Sequence, residues 1–255
     1  MSRLSGKRTG STTLNCFSPP VMVATFAIEI GLMLYTLWRY KLDAIGRLTA
    51  ATLLFLAWFQ LSEYFVCAGG GGLPAEFWAR SGFASITMLP ALGFQLLYLL
   101  AGKRERWPVF IGYGAAASFV LFFLTYQGVF AGYECTGNYN IFQLTAVTSV
   151  LYSVYYYGLL LAAIGLGLWW TRRSAPAASR LAGAQNQSVR GLVIGYLVFL
   201  VPTAVAGSVS PAARAGIPSI MCGFAVLFAI ILALYIMPRA GRLRGKQAPS
   251  GHKKA

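Results

Sequence analysis

Glu29, Gln60, Glu63 and Gln95 are the side chains whose type and setting could do chemistry, because each lies within a long apolar run. Gln60 and Glu63 stand one helical turn apart in LAWFQLSEYFVCAGGGG and share a helix face with Leu56 and Cys67. A charge at the centre of a bilayer costs about 2.5–3.5 kcal/mol on insertion scales, so such a carboxyl must be protonated, paired or turned to a wet interior. Glu29, Gln60, Glu63 and Gln95 are therefore expected to bind a small molecule, ion or proton in a polar pocket in the outer half of a helix bundle. Gln127 and the tyrosines of YSVYYYG (Tyr152, Tyr155, Tyr156 and Tyr157) are available partners. The competing reading is plain interhelical hydrogen bonding, worth about 0.6 kcal/mol per contact.

The rest of the reactive inventory is short. The acids are Glu29, Asp43, Glu63, Glu76, Glu105 and Glu134, and the single histidine is His252. A zinc hydrolase needs several His or Cys ligands converging on a metal, and an intramembrane serine protease needs a base beside its nucleophile. Neither set is present in the apolar runs. An intramembrane aspartyl protease would need two aspartates there, and a retinal protein a lysine in the last run; both are missing. No catalytic residue, metal or cofactor is expected, and the chain is not expected to be an enzyme.

The elements that must position these groups follow from composition. The 255-residue chain is 57% hydrophobic and only 11% charged, against about a quarter charged in soluble domains. Apolar runs long enough to cross about 30 Å of hydrocarbon as helices fall near 20–38, 47–68, 78–101, 108–131, 143–170, 191–208 and 216–237. The breaks between them combine charge with Gly, Pro or Asn. The pattern predicts an all-α, polytopic integral membrane protein: a seven-transmembrane-helix bundle over 20–237. A disordered outer segment (1–19) precedes it, and a basic disordered cytoplasmic tail (238–255) follows. Five of the six tryptophans lie near span ends as interface anchors; Trp58 is mid-span and could line a pocket.

Basic residues set the orientation. Of 21 Lys and Arg, 16 fall on the side shared by the first, third and fifth loops and the C-terminus, and 5 on the other. The N-terminus is expected outside and the C-terminus in the cytoplasm of a cell (inner) membrane. The net charge of +15 then reflects contact with anionic inner-leaflet lipids rather than with nucleic acid. In this orientation Cys16, Cys67 and Cys135 all lie outside, where disulfides persist, and at least one bridge is expected among them. Cys222 fits a small buried hydrophobe.

The stretch FWARSGFASITMLPALGFQLLYLLAGKRERW, Phe77–Trp107, resembles the seven-helix N-terminal sensor region of some bacterial histidine kinases. An aromatic residue and an Arg enter the third span, a mid-span step (Leu89, Pro90, Ala91) follows, and a short basic turn closes it. The likeness extends across spans two to four, about a third of the chain. It implies a multi-pass sensor that binds a ligand between its helices. The sequence departs from that family after the seventh span, where neither a phosphoacceptor-His helix nor a glycine-rich ATP-binding segment follows. A sensor whose output lies in a separate membrane or cytoplasmic signalling partner is the expectation. A small transporter or an accessory subunit of a membrane complex is the alternative. The sequence does not specify an oligomeric state.

Overall fold

A computed structural model describes residues 6–8, 19–69, 72–135, 140–173, 180–209, 213–214 and 216–240. Cys16, His252 and the tail beyond residue 240 lie outside the described residues. Seven helices are long and apolar enough to cross a membrane: α1 (Pro19–Arg39), α2 (Ala44–Ala68), α3 (Ala75–Leu100), α4 (Trp107–Thr125), α5 (Ala146–Arg173), α6 (Arg180–Val209) and α7 (Ile217–Ala240). The expected all-α seven-helix bundle is thus the observed architecture.

Local chemistry fixes the helix ends. The Asp43 carboxylate accepts from the Gly46 backbone N–H at 2.9 Å and caps α2. Gly69, at φ 69°, closes the same helix in a conformation that favours glycine. Pro108 occupies the first turn of α4, where its missing N–H is no loss. The helices form a ring in which α1 packs on α2 and α7, α7 packs on α6, and α3 touches α2, α4, α5 and α6. Gly93 lets α3 and α6 approach closely, because a Cβ there would strike the Tyr196 hydroxyl. Phe110, Ile111 and Leu121 of α4, with Val147, Val154 and Leu161 of α5, are all more than 60% exposed. An apolar surface of that extent suits lipid.

Several boundaries differ from the sequence expectation, each for a local reason. The fourth span stops at Thr125 rather than 131, and the fifth starts at Ala146 rather than 143. Between them lie β2 (Phe130–Cys135) and β3 (Asn140–Leu144), an antiparallel hairpin. The strand β1 (Gly6–Arg8) adds parallel to β2, with Gly6 opposite Tyr133 and Arg8 opposite Cys135. Part of the segment expected to be disordered is therefore a strand, and it covers backbone groups that β2 would otherwise leave open at its edge. The sixth helix begins at Arg180, since the polar stretch before residue 191 continues it, and Pro202 lies within it. The last helix reaches Ala240 through a wide π-helical turn, Ile231–Ile236, so 238–240 belong to the bundle and not to the tail.

Phe83 of α3 joins the hairpin to the bundle. Its ring centroid lies 5.2 Å from each of Phe123 on α4, Phe130 on β2 and Phe142 on β3. Phe59 of α2 and Tyr152 of α5 complete the cluster at 6.3 and 6.1 Å. A disulfide between Cys67 at the end of α2 and Cys135 at the end of β2, Cα atoms 5.8 Å apart, secures the hairpin covalently. Nearby, Arg80 pairs with Glu76 at 2.7 Å and donates to the Phe123 and Tyr126 carbonyls at 2.8 and 2.9 Å. It thereby supplies donors that the last turn of α4 lacks.

Replacing Phe83 with Ala should lower stability by about 3 kcal/mol, the low end of the usual range because helices separated in lipid gain no hydration. Thermal unfolding in detergent reads the loss. A Tm within a degree of wild type would show that the hairpin is held without this cluster.

Candidate functional site

Beneath the hairpin lies a cavity of about 470 Å³. Residues Ser149, Tyr152, Ser153, Tyr156 and Tyr157 line one wall, and their spacing of three and four marks one face of α5. Phe83 and Ile86 of α3 form a second wall, and Phe142, Gln143 and Leu144 of β3 form the roof. The first turns of α7 contribute Ile217, Pro218 and Met221, and Arg214 stands just before them.

The α5 wall is held in place from α3. Pro90 removes the N–H that the Ile86 carbonyl would receive and disturbs the adjacent turn. There the Tyr155 hydroxyl donates to the Thr87 carbonyl at 2.6 Å. The Thr87 hydroxyl donates to the Phe83 carbonyl at 2.6 Å and lies 3.1 Å from the Tyr152 hydroxyl. Tyr152 is therefore oriented by both an aromatic cluster and a polar contact. Of the tyrosines expected to serve Gln60 and Glu63, Tyr152 and Tyr155 serve this junction.

Both membrane acids are fully buried, as their depth demands. Glu29 sits ten residues from either end of α1, and Glu63 five residues from the hairpin end of α2. The Glu63 carboxyl lies within side-chain hydrogen-bonding reach of Ser219 on α7. Glu29 finds no hydrogen-bond partner for either oxygen among the described residues. The Cys222 thiol, also on α7 and buried, lies within electrostatic range of both acids. The two carboxyls thus converge at the junction of α1, α2 and α7, but neither lines the cavity. Met221 of α7 lines this cavity, while Ser219 of the same helix lies within reach of Glu63.

Other expected site residues also divide. Gln60 is buried, and its Nε2 has no hydrogen-bond partner among the described residues. Gln95 does not join the acids; its Oε1 accepts from the Tyr113 hydroxyl at 2.5 Å, tying α3 to α4. Gln127 is exposed in the turn after α4. Trp58 does not line the cavity; its indole N–H donates to Ser81 at 3.3 Å on the α2–α3 surface. Trp78 is buried, with its Phe65 neighbour stacked at 4.5 Å, rather than anchored at an interface. The bridge expected among the three outer cysteines joins Cys67 to Cys135.

Sequence reasoning missed Gln143, Ser149, Ser153 and Arg214. The periodicity of Ser149, Tyr152, Ser153, Tyr156 and Tyr157 was a usable signal for one polar helix face, whereas Gln143 depends on a hairpin with no apolar alternation to announce it. No protein-family model and no curated protein matches this chain.

The two acids should respond differently to an apolar replacement of similar size. Glu29→Met removes no hydrogen bond, so its Tm should equal or exceed that of wild type. Glu63→Met loses the Ser219 contact and should cost about 1 kcal/mol. Thermal unfolding of both variants in the same detergent checks the contrast, and a larger loss for Glu29→Met would reverse it.

Proposed function

We propose that this protein is a multi-pass sensor or receptor-like module of the cell membrane, binding a small ligand in the cavity beneath the hairpin and signalling to a separate partner. The N-terminus and the hairpin face the outside in this reading, and the basic end, with the C-terminus, faces the cytoplasm. The observation that carries it is a cavity of about 470 Å³, within the range of small-molecule sites, which stops at a floor. Tyr156 and Met221 form that floor. Below them the space shrinks to about 20 Å³ among Leu56, Leu160, Tyr196, Phe199 and Phe228. A ligand admitted from the hairpin end meets packed side chains instead of a path through the bundle. Binding followed by a change in helix packing suits such a dead-ended site better than passage does. The resemblance of Phe77–Trp107 to sensor regions points the same way.

A transporter or accessory subunit is the second reading. The buried Glu29 and Glu63 favour it, because carboxyls at that depth are characteristic of ion and proton pathways.

Ser153→Trp places a large ring in the cavity from its α5 wall. The variant should fold with a Tm within a few degrees of wild type, yet lose the thermal stabilisation that cavity-binding compounds give the parent protein in a small-molecule screen. Compounds that stabilise both proteins equally would place binding elsewhere.

A further inference from the structure

We infer that the cavity selects a small organic anion, a carboxylate carried on an aromatic or apolar body, with Arg214 as its charge-recognition group. This rests on the reading of the cavity as a binding site and adds the class of ligand. Of the arginines near the hairpin end, Arg80 and Arg214 differ in their settings. Arg80 is committed: Glu76 takes two of its donors and two carbonyls of the α4 terminus take two more. Arg214 uses its Nε–H toward the Gly207 carbonyl at 3.2 Å, which ties it to the last turn of α6. Among the described residues no acid forms an ion pair with it. A guanidinium carries five N–H donors in a planar fork; among the described residues Arg214 engages one of them, which leaves others to offer at the cavity wall.

The rest of the lining agrees in sign and shape. Among the described residues that line the cavity there is no Asp or Glu, and Arg214 is the charged one. The α7 N-terminus, at Ile217 and Pro218, brings the positive end of a helix dipole to the same side. An amine would find tyrosine faces but would also meet Arg214 and that dipole with no acid in the lining to offset them. A carboxylate meets a fork that it can engage with both oxygens. Opposite lie Phe83, Ile86, Phe142, Tyr152 and Tyr156, which provide rings and alkyl surface for an apolar body, while Ser153 and Gln143 supply neutral polar contacts.

The test uses the whole protein in nanodiscs of zwitterionic lipid and a matched set of probes: phenyl- and naphthylacetates, the corresponding acetamides, and the corresponding ethylammonium ions. Isothermal calorimetry or ligand-observed NMR gives the affinities. The naphthyl or phenyl carboxylate should bind about tenfold or more tighter than its amide, the margin of one good charge-assisted contact, with the amine weakest. Arg214→Gln should remove the carboxylate's advantage over the amide, and Arg214→Lys should fall between. Ser153→Trp should abolish carboxylate binding. If Arg214→Gln does not fold, the wild-type preference and Arg214→Lys decide. Equal binding of acid and amide by wild type, or tighter binding of the amine, overturns the anion inference while leaving the cavity a binding site. Carboxylate binding that survives Ser153→Trp also overturns it. Failure of every probe to bind wild type overturns the underlying reading of the cavity itself.

Discussion

The structure depends on the contact of Phe83 with the rings of Phe123, Phe130 and Phe142. Those three rings belong to α4 and to the two strands of the hairpin, so one side chain of α3 holds together elements that no continuous helix joins. Without it the hairpin would keep its two short connections, the Cys67–Cys135 bridge and the more distant ring contacts of Phe59 with Phe142 and of Phe123 with Phe130. A covalent bridge restricts where the hairpin can go, but it does not press β3 against α5. The aromatic cluster does, and the space left beneath it is the cavity. The roof of the site and the packing of the bundle are consequences of the same contact.

Polar interactions complete what the rings begin. Arg80 joins the start of α3 to the end of α4 through Glu76 and two carbonyls, and Tyr155 secures α5 to the Pro90 region of α3. Arg80 satisfies carbonyls that a helix end leaves open, a requirement that lipid makes stricter than water does, and Tyr155 adds a donor in the turn that Pro90 disturbs. With three neighbours fixed to it near the hairpin, α3 is the reference against which α7 can move. The first turns of α7 carry both Met221, in the cavity floor, and Ser219, against Glu63. A ligand that pushes on one face of that helix therefore acts on the acid cluster at the other. In the proposed reading, Glu29, Glu63 and Cys222 would lie in the path by which binding reaches the rest of the bundle.

What the sequence reveals follows from which forces are local. Seven apolar runs with charged breaks report helix number directly, because lipid leaves a spanning segment little choice but helix. The burial of Glu29 and Glu63 was legible for the same reason. The hairpin was not: Phe130–Leu144 has few residues with strong alternation, and its strands are stabilised by Phe83, far away in the chain. Gln95 illustrates a second limit. Its polarity announced an interior partner, but only the rotation of α3 decides that Tyr113 meets it instead of Glu63. Arg214 illustrates a third, since an arginine between two spans reads as a loop charge until the helices are assembled around it.

The central claim is that the cavity opens at the outer, hairpin end and is closed beneath Tyr156 and Met221. Single cysteines at Ser153 in the wall and at Leu160 below the floor test it most directly, in a protein whose Cys16 and Cys222 are replaced by serine. Intact cells are treated with a membrane-impermeant maleimide, and labelling of each cysteine is measured. The account predicts that Ser153→Cys is modified from outside and that Leu160→Cys is not. Labelling of both would mean a path through the floor, and protection of Ser153→Cys in intact cells with labelling only after lysis would contradict the orientation and the access that this account requires.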